Sequence, residues 1–255
     1  MSKLVFPIIV LLAALVQSFG QGAQPRGSLD VSGRPKIGTK QEKIERKRFY
    51  LFRGGLEANK GLIERLRTAE PVSRECFYCR QKSSPEFISW LKTGNCESPY
   101  CREITAEDAK TVPEFQAAYK KGLTQFKRKP DLALKWITTN LPPLLRDGFY
   151  REQKTILGAL LGELRPVQSA MTDRSNVKAA FIDIPLDPGP KKTQFLVSNI
   201  LPVEIGDKSY VWVCEVEIGA EKAPPMLKLS DTKTKACEVF IRPLGDCAAG
   251  SCAAK

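Results

Sequence analysis

Eight cysteines in two sets of four constrain this chain more than any other feature: Cys76, Cys79, Cys96 and Cys101 in the first half, and Cys214, Cys237, Cys247 and Cys252 near the C terminus. The first set has the form C-x2-C…C-x4-C. In a reducing compartment that spacing suits a closed four-thiolate zinc site; in an oxidising one it suits two disulfides. A third use is a thiol–disulfide active site at Cys76 and Cys79. Such a site needs a thiol whose pKa is lowered by a helix N-terminus or nearby cations, and the strand-to-helix junction of a thioredoxin-like unit is missing around it.

The N-terminus favours disulfides. Residues 1–20 read MSKLVFPIIVLLAALVQSFG, with Lys3 as the one charge, an apolar run from Leu4 to Val16, and Ser18 and Gly20 at the −3 and −1 positions of a cut before Gln21. These are the three regions of a secretory signal peptide, and the run is shorter than the roughly 20 residues needed to span a bilayer. The expected location is therefore periplasmic or extracellular. The cysteines are expected to pair within each half, Cys76 and Cys79 with Cys96 and Cys101 in either combination. Cys214 is expected to join Cys237, and Cys247 to close a small loop with Cys252. Each bridge would contribute roughly 2–4 kcal/mol by restricting the unfolded chain. No cofactor is expected; zinc on the first four cysteines is the alternative. No N-x-S/T sequon occurs.

The chain contains no histidine. That excludes Ser-His-Asp and Cys-His nucleophile pairs, His-ligated catalytic zinc and c-type haem. Among the acids, Asp183 with Asp187 and Glu215 with Glu217 are the nearest pairs on or beside strands. Nothing flanking them marks an acid–base pair, and they read as solvated surface acids. No phosphate-binding glycine loop, G-x-S-x-G elbow or calcium loop is present.

The hydrophobic period changes along the chain. Residues 21–40, rich in Gly, Pro, Ser and Arg, read as a disordered leader. From residue 41 apolar positions recur at helical spacing, with Gly54-Gly55 predicting a kink and Pro71 an end. Ser84-Pro85, Thr105 with Asp108, and Pro113 open further helices. Ile156, Leu157, Leu160, Leu161 and Leu164 form a core stripe. After Pro166 the period becomes two: 178–185, 193–205, 208–218 and 236–242 read as strands, with a hairpin at Gly206-Asp207. Helices first and strands later predict an α+β protein stapled by disulfides. A basic helical domain over 41–166 would carry the first cysteine set. An antiparallel, sandwich-like β domain over 177–245 and a cysteine-containing tail over 246–255 would follow.

Charge divides the same halves. Residues 177–255 hold 10 basic and 10 acidic side chains; residues 21–176 hold 29 and 18. Two basic clusters stand out, each with aromatics nearby: Lys43, Arg46, Lys47 and Arg48, then Lys120, Lys121, Lys127, Arg128 and Lys129. Such clusters are either a surface for polyanions or an ordinary solvated helix face. Export argues against DNA or RNA. The expected function is that of an exported, non-enzymatic binding protein whose basic helical half meets an anionic partner in the envelope or outside the cell. A thiol–disulfide factor and a zinc-stabilised interaction module are the alternatives.

Overall fold

The computed structural model describes residues 24–221, 223–244 and 247; the 1–20 segment and Cys252 lie outside them. The fold is α+β and disulfide-bonded. Its β unit is assembled from both ends of the chain, and the helices are an insertion within it. Strands β1 (Arg26–Ser32), β2 (Lys36–Ile37), β3 (Lys40–Gln41) and β4 (Arg48–Arg53) come first. Eight helices follow: α1 (Lys60–Thr68), α2 (Arg74–Arg80), α3 (Pro85–Thr93), α4 (Asp108–Thr111), α5 (Pro113–Gln125), α6 (Pro130–Lys135), α7 (Ile137–Asn140) and α8 (Pro143–Leu161). The chain then returns through β5 (Gln168–Met171), β6 (Lys178–Pro185), β7 (Lys192–Ser198), β8 (Val203–Ile205), β9 (Lys208–Gly219), β10 (Met226–Leu227) and β11 (Cys237–Pro243).

Two of the resulting sheets face each other. The larger runs β11-β9-β7-β4-β5 with β8 on β9, all antiparallel; the smaller runs β10-β1-β6, with β10 parallel to β1. Leu29 and Val31 of β1 and Phe181 and Ile184 of β6 meet Phe49, Leu51, Phe195, Val197 and Trp212 from the larger sheet in one buried core. Phe181 and Ile184 are three residues apart, which strict alternation forbids. Asp183, at φ 53°, supplies the extra residue where the register with β1 shifts between Gly27 and Leu29. A short polar side chain tolerates that left-handed conformation, and the bulge turns Ile184 inward.

The expected leader and the first expected helix are corrected here. Residues 26–32 form the middle strand of the smaller sheet, although Leu29 and Val31 are the only large apolar side chains they bring to it. Neighbours β6 and β10 hold the strand on both edges. Arg48–Arg53 is buried on both faces, Phe49 and Leu51 toward the sandwich core and Tyr50 and Phe52 toward the helices. A four-residue apolar run has no period of its own, so spacing alone cannot separate strand from helix. Gly54-Gly55 is the exit from that strand, not a helix kink. Gly54 sits at φ 82°, and a side chain at Gly55 would collide with the Glu215 carboxylate, which accepts the Leu56 N–H at 2.7 Å. The expected order of a helical domain followed by a β domain is thus replaced by an insertion between the paired strands β4 and β5.

Helix α8 ties the insert to the sandwich. Its first half places Leu145 and Phe149 in the helical core with Phe77, Tyr78, Phe87, Trp90 and Phe115. Its second half lays Ile156, Leu157, Leu160 and Leu161 with α1 on the outer face of the larger sheet. Charged side chains close the same junction. Arg65 donates to the Leu160 carbonyl at 2.7 Å, Arg242 to that of Leu66 at 2.9 Å, and Arg74 pairs with Glu204 at 3.2 Å. Cations at exposed helix carbonyls are favourable both as donors and against the helix dipole.

Asn199 completes the larger sheet where β7 ends. Its buried side chain donates to the Tyr210 carbonyl at 2.9 Å and accepts the Trp212 N–H at 2.7 Å, standing in for the missing strand residue. Replacing it with leucine leaves two buried backbone groups unpaired. The expected cost is about 3 kcal/mol. A thermal melt should show it as a drop of about 9 °C for a chain of this size; a drop under about 2 °C would mean that water replaces the amide.

Candidate functional site

All seven described cysteines are in disulfides, and the pairing corrects the expected one. Cys96 joins Cys101, closing its own short loop, and Cys76 joins Cys247 across 171 residues of sequence. Cys214 joins Cys237, its direct cross-strand neighbour. Cys79 is bonded as well and buried. Cys76 and Cys79 lie one turn apart on α2, and sequence spacing does not reveal that Cys76 reaches as far as Cys247. The zinc alternative required Cys76, Cys79, Cys96 and Cys101 as thiolates at one point, and the redox alternative required Cys76 and Cys79 as a couple; the bonds to Cys247 and between Cys96 and Cys101 provide neither arrangement. Among the described residues no cluster of three or more His, Cys, Asp or Glu is placed to hold a metal ion. No helix among them is long and apolar enough to cross a membrane.

Three of the four acids have structural roles, and Glu217 is exposed. Asp187 meets Arg53 at 2.9 Å, Glu215 caps the turn into α1, and Asp183 forms the bulge.

The first basic cluster lies on the segment entering β4. With Lys154 of α8 it lines a cleft of about 630 Å³ between sandwich and insert, walled also by Tyr150, Met171 and Pro202. Five cations face two carboxylates there, Glu45 and Glu97. Yet each member of the cluster already has an internal partner. Lys43 pairs with Glu45 and Lys47 with Glu97. Arg46 donates to the Cys101 carbonyl at 2.7 Å, which Arg174 also reaches at 2.7 Å, and Arg48 donates to Ser169 at 3.0 Å. The contacts of Arg46, Arg174 and Lys47 fasten the Cys96–Cys101 loop to the sandwich. Withdrawal from water raises the pKa of the Tyr150 hydroxyl above its ordinary value, and its hydrogen bond with Ser98 offsets part of that.

The second cluster is built differently. Lys120 and Lys121 are exposed on the last turns of α5, and Lys127, Arg128 and Lys129 form the connection to α6. Gly122 lets that connection fold tightly: a Cβ there would come within 3.1 Å of the Ala133 backbone. Lys127 and Arg128 take φ of 50° and 61°, two successive side-chain-bearing residues in the left-handed region. That conformation costs roughly 1–2 kcal/mol per residue. Hydrogen bonds from Arg128 N–H to the Leu123 carbonyl at 2.7 Å and from Lys129 N–H to the Phe126 carbonyl at 3.1 Å hold it. Among the described residues none of these five cations forms an ion pair. Lys135 adds a sixth, against Asp131 as the one acid between residues 120 and 136.

Sequence periodicity missed what accompanies these charges. Leu132 of α6 is 38% exposed and Trp136, one turn on at the C-terminal cap of that helix, is 46% exposed, with the Phe126 ring 5.9 Å from the indole. The sequence over 131–140 reads only as a continuation of the helical half, and the packing of Ala133 and Ile137 inward shows which side is left outside.

Comparison of the chain with protein-family models, with curated proteins and with solved structures finds no match to any of them.

Proposed function

We propose that this chain is an exported, non-enzymatic binding protein that holds an anionic partner against the end of its helical insert. The observation that carries this reading is the contrast between the two basic clusters. Each cation of the first has a partner within the fold, whereas among the described residues Lys120, Lys121, Lys127, Arg128, Lys129 and Lys135 form no ion pair. An uncompensated patch of this kind raises the local concentration of anions and speeds their arrival. The signal-like residues 1–20 and the disulfide-bonded cysteines support export.

The test is retention of the mature protein on immobilised dextran sulfate across a salt gradient. Binding is expected at low ionic strength and should weaken as the screening length falls to roughly 8 Å near physiological salt. The triple reversal K127E/R128E/K129E should reduce affinity at least about a hundredfold, given roughly 1 kcal/mol per cation at such a surface. The same charge change placed on the sandwich, K208E/K228E/K235E, should have a much smaller effect. Equal losses from both triples would show that net charge alone is responsible and sink the proposal.

A further inference from the structure

Resting on that reading, we infer that the anionic partner is a lipid bilayer surface, met by Trp136 and Leu132 within the ring of cations at the tip of the insert. A soluble polyanion needs only the charges. The three apolar side chains at the same place, Phe126, Leu132 and Trp136, gain nothing from it. A sugar or a nucleic-acid base could stack on an indole, but Trp136 already leans on Phe126 at 38°, and Leu132 has no π face to offer. An anionic bilayer uses every component. The indole settles at headgroup depth, as tryptophans do at membrane interfaces, and Leu132 enters the acyl boundary. The long Lys and Arg stems keep their charges among the phosphates while their methylenes cover apolar surface. Apolar insertion and headgroup attraction act together, the combination that peripheral membrane binding requires.

The three tryptophans make the experiment clean. Trp90 and Trp212 are 5% and 1% exposed, so a change in emission on binding reports Trp136. The mature, oxidised protein would be titrated with phosphatidylcholine vesicles, and separately with vesicles in which about one third of the lipid is phosphatidylglycerol. Co-sedimentation together with a blue shift, with the anionic vesicles alone, is the expected result. W136A should lose the shift and L132N should bind several-fold more weakly, both with unchanged far-ultraviolet circular dichroism. Binding should weaken about fivefold for each cation removed among Lys127, Arg128 and Lys129. Retention on dextran sulfate without vesicle binding would overturn the membrane inference and leave the polyanion reading standing. Failure to bind either would overturn both. Vesicle binding with unchanged tryptophan emission would also overturn the inference, since the apolar tip would not be entering lipid.

Discussion

Trp212→Ala is expected to lower the unfolding free energy by about 4 kcal/mol, the range measured for truncating a buried tryptophan. The indole sits between the two sheets at 1% exposure, stacked on Tyr210 with ring centres 5.6 Å apart. Its N–H donates to the Ser230 carbonyl at 2.7 Å. Alanine would therefore open a cavity that flanking strands cannot collapse into, because β8, β11 and β7 hold β9 along both edges. It would also free an acceptor in the crossing segment before β11. Urea denaturation should show the midpoint moving to lower concentration with the slope unchanged. A loss below about 1 kcal/mol would mean that the sheets do not pack through this residue.

Phe149→Ala should cost about as much, roughly 4 kcal/mol, and it tests how the insert is coupled to the sandwich. Phe149 contacts the rings of Phe77 at 5.4 Å and Tyr78 at 6.2 Å at the centre of the helical core. The Tyr78 hydroxyl, raised in pKa by burial, donates to the Glu97 carbonyl at 2.9 Å. Since α8 runs without a break from this core to the outer face of the larger sheet, a defect at Phe149 should be felt in both units. The Arg74–Glu204 pair and the Cys76–Cys247 bond reinforce that coupling. Fluorescence and far-ultraviolet circular dichroism should therefore follow one coincident unfolding transition, shifted as a whole. Two separated transitions in the variant would show that the insert melts independently and that α8 does not transmit the loss.

The functional reading narrows from a general basic half to one end of one insert, and the physical reason is neutralisation. Charge counts along the sequence weigh every lysine and arginine alike. In the folded chain, arginines 46, 65, 74, 174 and 242 are spent on carbonyls and on Glu204 at the seams between elements. What remains for a partner is the set that no seam requires. Of the basic residues that the sequence singles out, Lys120, Lys121, Lys127, Arg128 and Lys129 retain that availability, and Lys135 joins them.

Local chemistry was readable before folding. Ser84 caps α3 through its hydroxyl with Pro85 in the first turn, Thr105 and Asp108 exchange the reciprocal bonds of a capping box, and Gly206 turns the β8–β9 hairpin at φ 62°. The stripe from Ile156 to Leu164 packs as a core face, and β6 spans the residues 178–185 that read as a strand. In each case the signal and the structure it specifies lie within a few residues of one another. Three matters depended on the tertiary structure: that Arg26–Ser32 and Arg48–Arg53 are strands of a sandwich completed more than a hundred residues later, that Cys76 bonds Cys247, and that Leu132 and Trp136 stay outside the core. Each is settled by a partner distant in sequence, through a sheet edge, a sulfur or a packed helix face, and short-range periodicity carries no information about which distant partner that will be.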